Sequence, residues 1–222
     1  MTQFAEDGFA LIPEVLMQGE CASIAKQASQ PSSAAAGTRG LLSHAWCRTL
    51  AKTIQRHPAL SRFIPPDLVA VQCTYFEKSL DTNWLVPVHQ DLSIPVAERV
   101  SEPSLTGWSE KEGALYVQAP VGVLEQLVAV RIHIDACGAE DGPLRIVPGS
   151  HRRGRISAEE APAIRQSRAE WVCVAEQGSV LLMRPLLLHA SSKATGSSKR
   201  RVLHFLFGPR SLPFDLRWHE TV

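Results

Sequence analysis

Gly142-Pro143-Leu144-Arg145-Ile146-Val147-Pro148-Gly149-Ser150-His151 is the stretch on which the fold turns. Its centre is a short apolar run. Pro148 cannot donate to a sheet ladder, and with Gly149 it makes a turn, so the segment reads as a strand closed by a Pro-Gly stop. Downstream, Gly178-Ser179-Val180-Leu181-Leu182-Met183-Arg184-Pro185-Leu186-Leu187-Leu188-His189-Ala190-Ser191-Ser192 has the same texture, and after a polar turn Arg200-Arg201-Val202-Leu203-His204-Phe205 opens another strand. Working outward, candidate strands lie at 69–77, 84–89, 114–118, 127–136, 143–147, 172–174, 179–183 and 200–207. Short β-branched runs broken by Gly and Pro describe an antiparallel barrel or sandwich.

The N-terminal third differs. Residues 4–16 read as a turn into a short strand and 15–29 carry a helical pattern, while the Ser-, Ala- and Gly-rich stretch 29–40 reads as a mobile loop. From His44 to Phe63 the apolar positions Trp46, Leu50, Ile54 and Leu60 recur near helical spacing, and Pro65-Pro66 is expected to end that helix. The fold class expected is therefore α+β, one domain over 1–222, with a helical part at about 1–66 laid on the outside of a β-barrel at about 67–210. The polar stretch 97–113, with Pro103, Gly107 and Trp108, is long for a hairpin connection and reads as a lid loop.

A formal net charge of +1 and only 6% aromatic residues give no electrostatic footprint for nucleic acid or an anionic membrane. No apolar run reaches the roughly 18 residues of a membrane span. The acidic start Glu6-Asp7 is unlike a signal peptide, so a cytoplasmic location is expected. Five cysteines, widely spaced and without C-x-x-C, are expected to be reduced core thiols.

Two triplets of the form His-x-Asp are present, His89-Gln90-Asp91 and His133-Ile134-Asp135. On a strand, residues i and i+2 share a face, so either triplet can present an imidazole and a carboxylate to one metal ion. In the strand from Leu127 to Asp135, Val128, Val130, Ile132 and Ile134 form one apolar face, and Arg131, His133 and Asp135 share the other. If the apolar face packs on the helices, Arg131 and His133 look into the barrel and can bind an anion; the alternative is a salt-bridged outer face. Gln72 and Thr74 alternate with Cys73 on an earlier strand, either toward the same pocket or toward solvent.

The H-x-D triplet, the G-P-L-x-x-x-P-G-S-H element, the distal His189 and the arginine eleven residues after it occur in an order that resembles the phytanoyl-CoA dioxygenase family of iron(II)/2-oxoglutarate oxygenases. The opening Glu6-Asp7-Gly8-Phe9 resembles that family's start, so the similarity spans nearly the whole chain. The resemblance implies a double-stranded β-helix, the jelly-roll or cupin-like barrel, with iron(II) bound inside. It selects His89 and Asp91 as metal ligands over His133 and Asp135, with His189 completing the triad. Two imidazoles and one carboxylate on an octahedral ion leave three adjacent positions, enough for chelation by 2-oxoglutarate and for dioxygen. Asp91 occupies the position a halide would need, which favours hydroxylation.

The eleven-residue interval selects Arg200 for the far carboxylate of 2-oxoglutarate, with Arg201 as the alternative, since only one of the pair can point inward. Ser191 is expected as a hydroxyl donor beside it, and Gln72, Thr74 and Arg131 as further co-substrate contacts. The substrate implied is a small molecule, an anionic metabolite rather than a thioester, with specificity in loops such as 29–43 and 92–118; the oligomeric state stays open. His151 is read as tying down its turn, and His44, His57 and His219 as surface residues. Ser150, Ser191 and Ser192 lack any nucleophile elbow. Trp84 and Trp108 flank the expected pocket, as packing or as substrate contacts. Two rival readings keep the barrel: a cupin-like metalloenzyme without 2-oxoglutarate, and a non-catalytic binding protein.

Overall fold

A computed structural model describes residues 3–28, 37–79 and 82–222. The chain opens with α1 (Gln3–Asp7), β1 (Phe9–Ile12), α2 (Gln18–Ala28) and α3 (Ala45–Arg56). Then come β2 (Leu68–Lys78), β3 (Val86–His89), β4 (Ser93–Val96), β5 (Thr106–Lys111), β6 (Ala114–Gln118), α4 (Val121–Leu124) and β7 (Val128–His133). The chain closes with β8 (Leu144–Ile146), α5 (Ala161–Gln166), β9 (Trp171–Val172), β10 (Val180–Met183), β11 (His189–Ser191) and β12 (Arg200–Pro209). All pairings are antiparallel, in a five-stranded sheet ordered β1-β10-β7-β12-β2, a four-stranded sheet β3-β11-β8-β9 and a three-stranded sheet β4-β6-β5. This is the double-stranded β-helix that the family resemblance implied.

The alternation of β7 separates two cores. Val128, Val130, Ile132 and Ile134 pack in one cluster with Ile24 of α2, Cys47, Ala51 and Ile54 of α3, and Phe205 and Phe207 of β12. The odd face carries Ala129 into a second cluster with Leu144, Ile146, Leu181 and Leu206 between the sheets, and then Arg131 and His133. Each fully buried Leu, Ile or Phe in these layers contributes about 1.5–3 kcal/mol. A bulge tunes β2: Leu206 pairs with Gln72 but Phe207 pairs with Ala70, so Val71 is the extra residue. Val71 and Gln72 therefore both face inward, and Thr74, Phe76 and Lys78 follow on the inner side. Beyond β2, its outer edge is taken up by backbone pairing of Tyr75 with Thr38 (2.8 and 2.9 Å) and of Ala70 with Val222 (3.0 and 3.2 Å).

Three local expectations are corrected. Helix α3 ends at Arg56, not at Pro65, because Pro58 holds His57 in the extended region (φ −64°, ψ 127°). Residues 97–113 are not an open loop: β5 pairs with β6 across a two-residue turn in which Glu112 (φ 51°) and Gly113 (φ 78°) are both left-handed, the geometry that matches strand twist. The segment at 4–7 is the helix α1. The turn after it places Gly8 at φ 83°, where a Cβ would collide with His151 and Leu187. With Gly149 N–H donating to Asp7 O (2.9 Å), that contact anchors the Pro-Gly-Ser-His turn. The expected mobile loop at 29–40 falls mostly outside the described residues; its described end leads into a 3-10 turn at Leu41–Ser43. All five cysteines are free and buried. Among the described residues no helix is long and apolar enough to cross a membrane.

Candidate metal centre

Register places the first two candidate ligands. His89 ends β3, His189 begins β11, and the two are direct partners across that ladder with ring centroids 4.3 Å apart. Asp91 lies two residues beyond β3, its N–H donating to Pro185 O at 2.9 Å. Its Oδ1 is 3.6 Å from His89 Nε2 and its Oδ2 is 3.7 Å from His189 Nε2. One donor atom from each of the three residues lies within 4.8 Å of the others.

The imidazole tautomers are set from behind. His89 Nδ1 lies 2.8 Å from Pro87 O and His189 Nδ1 lies 2.9 Å from Leu187 O. A carbonyl only accepts, so each Nδ1 carries a proton, which leaves each Nε2 beside Asp91 as the nitrogen that could give its lone pair to a metal ion. Between the ligands, the Gln90 amide donates to Gly154 O (2.9 Å) and Leu186 O (2.6 Å) and accepts from Ile156 N–H (2.8 Å), fixing the backbone on both sides of the site. Burial alone would raise the Asp91 carboxyl, but His189, the hydrogen bond to His89 and His204 hold it well below the usual carboxylate range. Burial lowers His189, whereas in His89 the contact with Asp91 outweighs burial and raises the imidazole.

The triad opens on a cavity of about 430 Å³. From the five-stranded sheet it is lined by Gln72, Thr74, Phe76, Arg131, Arg200 and His204, and from the three-stranded sheet by Ser93, Ile94, Lys111 and Tyr116. Arg131 is 7% exposed and Arg200 3%, and neither has a carboxylate partner among the described residues. Arg200 donates to Gly142 O. The Nε atoms of both arginines and Nδ1 of His204 are buried without a hydrogen-bond partner. Burial, then Arg200, brings Arg131 down to about 10, and burial brings His204 down to about 4.

The open choices at these positions resolve on geometry. Arg201 points away, its Nε and Nη2 gripping Asp135 at 2.7 Å each. That pairing separates Asp135 from His133, which is buried with Nε2 3.8 Å from Cys173 Sγ. Gln72 and Thr74 face the cavity, Gln72 Nε2 donating to Thr74 Oγ1 at 3.1 Å. Ser191 also lines it, but its hydroxyl proton is directed at Gly142 O (2.8 Å), not held ready for a ligand. Ser191 Oγ in turn accepts from Lys78 Nζ at 2.7 Å. Trp84 lines the cavity, while Trp108 packs through its indole N–H on Leu105 O (3.2 Å). His44 and His219 are exposed and His57 is half-buried.

Sequence reasoning missed four residues here. Lys78 is fully buried behind Ser191 on the inner face of β2, and its parity with Gln72 and Thr74 could have flagged it. His204 shares the inner face of β12 with Arg200. Arg39 and Lys111 line the mouth, and no motif announces them.

The donor set suits iron(II): two neutral imidazole nitrogens and one ionised oxygen on one side of an octahedron. Two guanidinium groups and an ammonium without counter-ions likewise suit a dicarboxylate.

A family model described as phytanoyl-CoA dioxygenase (PhyH) matches residues 4–202. No curated protein sequence matches the chain. Among solved structures, the non-heme alpha ketoglutarate dependent epimerase SnoN from nogalamycin biosynthesis is similar at 15% identity and a TM-score of 0.68, over 94% of this chain and 79% of that one. HygX from Streptomyces hygroscopicus, solved with nickel, 2-oxoglutarate and hygromycin B, is similar at 20% identity and 0.64, over 93% and 84%. EctD from S. alaskensis with bound Fe is similar at 14% identity and 0.67, over 93% and 74%.

Proposed function

The chain belongs to the phytanoyl-CoA dioxygenase family and is an iron(II)- and 2-oxoglutarate-dependent oxygenase; from that premise we propose which residues do the work and on what. His89, Asp91 and His189 hold the iron, and Arg200, with Arg131 beside it, receives the far carboxylate of 2-oxoglutarate. The observation that carries this reading is the convergence of two carbonyl-fixed imidazoles and Asp91 beside two buried guanidinium groups that lack counter-ions. Iron(II), 2-oxoglutarate and dioxygen would together supply the oxidising chemistry, with succinate and CO2 as co-products.

Arg200 contributes charge and a fork of donors at the far carboxylate. Thr74 accepts from Gln72, which leaves the Thr74 hydroxyl proton and the second Gln72 amide proton available to the co-substrate. Leu127, Leu144 and Leu206 give the cavity apolar walls, which exclude water and strengthen each of these contacts. With Asp91 in the ligand set, the reaction is hydroxylation of a small anionic molecule, carried out by residues 1–222 as one family domain. A barrel enzyme without 2-oxoglutarate, or a non-catalytic binder, would leave Arg131, Arg200 and Lys78 as buried, uncompensated charge.

The test is an anaerobic titration of metal-free protein with iron(II) and then 2-oxoglutarate, read as the visible charge-transfer band of a chelated keto acid. The band is expected in the wild type and absent in His89→Ala. A wild type without the band at saturation would overturn the reading.

A further inference from the structure

The cavity's charges divide by the sheet that carries them. On the five-stranded sheet, Arg131 and Arg200 face the far carboxylate of 2-oxoglutarate, and Asp91, the only carboxylate lining the cavity among the described residues, belongs to the metal. Two cations remain, Lys111 on the three-stranded sheet and Arg39, which follows the Thr38 bridge at the edge of β2. Arg39 is satisfied: its backbone N–H and its Nη1 both reach the Glu112 carboxylate at 2.8 Å. Lys111, the last residue of β5, has no carboxylate partner among the described residues. Its ammonium lies 4.8 Å from the centre of the Tyr116 ring, close enough for a cation–π contact. Ile94 of β4 adds an apolar wall on this side, whereas Trp84, its ring centre 5.3 Å from Lys78 Nζ, and Val86, paired with Ser191, line the other end.

Resting on the oxygenase reading above, we propose that Lys111 is the specificity-determining residue of the substrate site, and that the substrate is a small carboxylic acid with an apolar body. The carboxylate sits on the Lys111 ammonium, and the body lies along Ile94 toward the metal. The Arg39–Glu112 pair explains why this side asks for one negative charge. Glu112 neutralises Arg39 and, next in sequence to Lys111, fixes the end of the hairpin from which Lys111 projects. Burial, then the neighbouring Arg39, lowers the Lys111 ammonium, and the opposing pull of Asp91 is the weakest of the three. An amine would meet like charge, and an amide would leave the ammonium without its ionic partner.

The probes are straight-chain monocarboxylates of four to eight carbons, each with its primary amide and its amine, added to protein loaded anaerobically with iron(II) and 2-oxoglutarate. The readouts are a shift of the charge-transfer band and, after air is admitted, succinate release. The acids are expected to shift the band and raise succinate release, with amides and amines weaker by about 10-fold or more, the scale of one charge-assisted hydrogen bond. Lys111→Met is expected to lose the response to acids while keeping the band and its 2-oxoglutarate midpoint; Lys111→Arg is expected to retain it. Equal action by amides or amines, an undiminished response in Lys111→Met, or no response to any acid would overturn the proposal. Because the band is read before any acid is added, its absence from the wild type would instead overturn the oxygenase reading, and this proposal with it.

Discussion

His189 and His89 are partners in one antiparallel ladder, and each imidazole is aimed by the carbonyl two residues before it. The proposed metal site thus rests on strand pairing itself. Removing either ring leaves only two of the three donors. His89→Ala and His189→Ala are each expected to abolish iron(II) binding, measured by anaerobic calorimetry, while circular dichroism stays native. Near-normal iron affinity in either variant would remove that residue from the triad.

Arg200 and Arg201 are adjacent and have opposite fates. Arg200→Met is expected to weaken 2-oxoglutarate by roughly 10- to 100-fold, the equivalent of about 1.5–3 kcal/mol for a lost charge-assisted contact, without changing iron affinity. Arg201→Met breaks the pair with Asp135, whose side chain is 18% exposed, and is expected to affect the melting temperature but not the 2-oxoglutarate midpoint. The reverse outcome would mean that the inner face of β12 has the other parity.

Lys78, behind Ser191, is expected to make the proposed co-substrate site sensitive to pH. Burial, then Arg200 and Arg131, brings its ammonium down to about 7. The charge that attracts a dianion is present below pH 7 and is lost above it. The affinity of the iron-loaded protein for 2-oxoglutarate is expected to fall by up to about 10-fold between pH 6 and 8, equivalent to about 1.4 kcal/mol. Lys78→Met should bind weakly at both pH values and lose that slope. A wild-type profile flat across pH 7 would contradict the assignment.

His133 couples fold stability to acid. Burial first, then Arg131 and Arg200, brings its folded pKa down to about 3, against an unfolded value near 6.5. A depressed folded pKa means the unfolded chain binds the extra proton, so stability is intact above about pH 6.5 and is lost as pH falls toward 3. The cost approaches about 1.4 kcal/mol per pH unit for this group. Urea unfolding of metal-free protein at pH 7, 6, 5 and 4 should show that slope, reduced by one proton in His133→Asn. An unchanged slope in the variant would assign the acid sensitivity elsewhere, with His204 the next group to test.

The barrel was legible because its signals are local: β-branched runs, the Pro148-Gly149 stop and the two-residue alternation of 127–135 each reflect one strand's own geometry. Alternation put Arg131 and His133 on one face but left it inward or outward; the packing of Val128, Val130 and Ile132 on the helices turns that face inward. What escaped depends on contacts far apart in sequence. Thr106-Gly107-Trp108-Ser109-Glu110-Lys111 has no apolar face and becomes a strand only because β6 pairs with it. Lys78 at the end of a strand reads as solvent-facing until Ser191 and Ser192, brought by β11, close over it. The end of α3 was misplaced because the weaker break, His57-Pro58, acts before the stronger pair at Pro65-Pro66. The two H-x-D triplets could not be ranked by spacing, because the difference between them is a partner: Asp135 is held by Arg201, whereas Asp91 stands between two histidines.

The flank of β2 bears on aggregation. An outermost strand with free N–H and C=O groups is a template for another chain, the nucleation step of fibrils and of domain exchange. Here the strand is long and its side chains are largely apolar, which makes it the most hazardous edge such a barrel could present. Tyr75 and Ala70 have already committed their backbone groups to Thr38 and Val222. An incoming chain would have to peel away one of these two seals before it could add, so this edge is protected by the chain's own segments and not by charge.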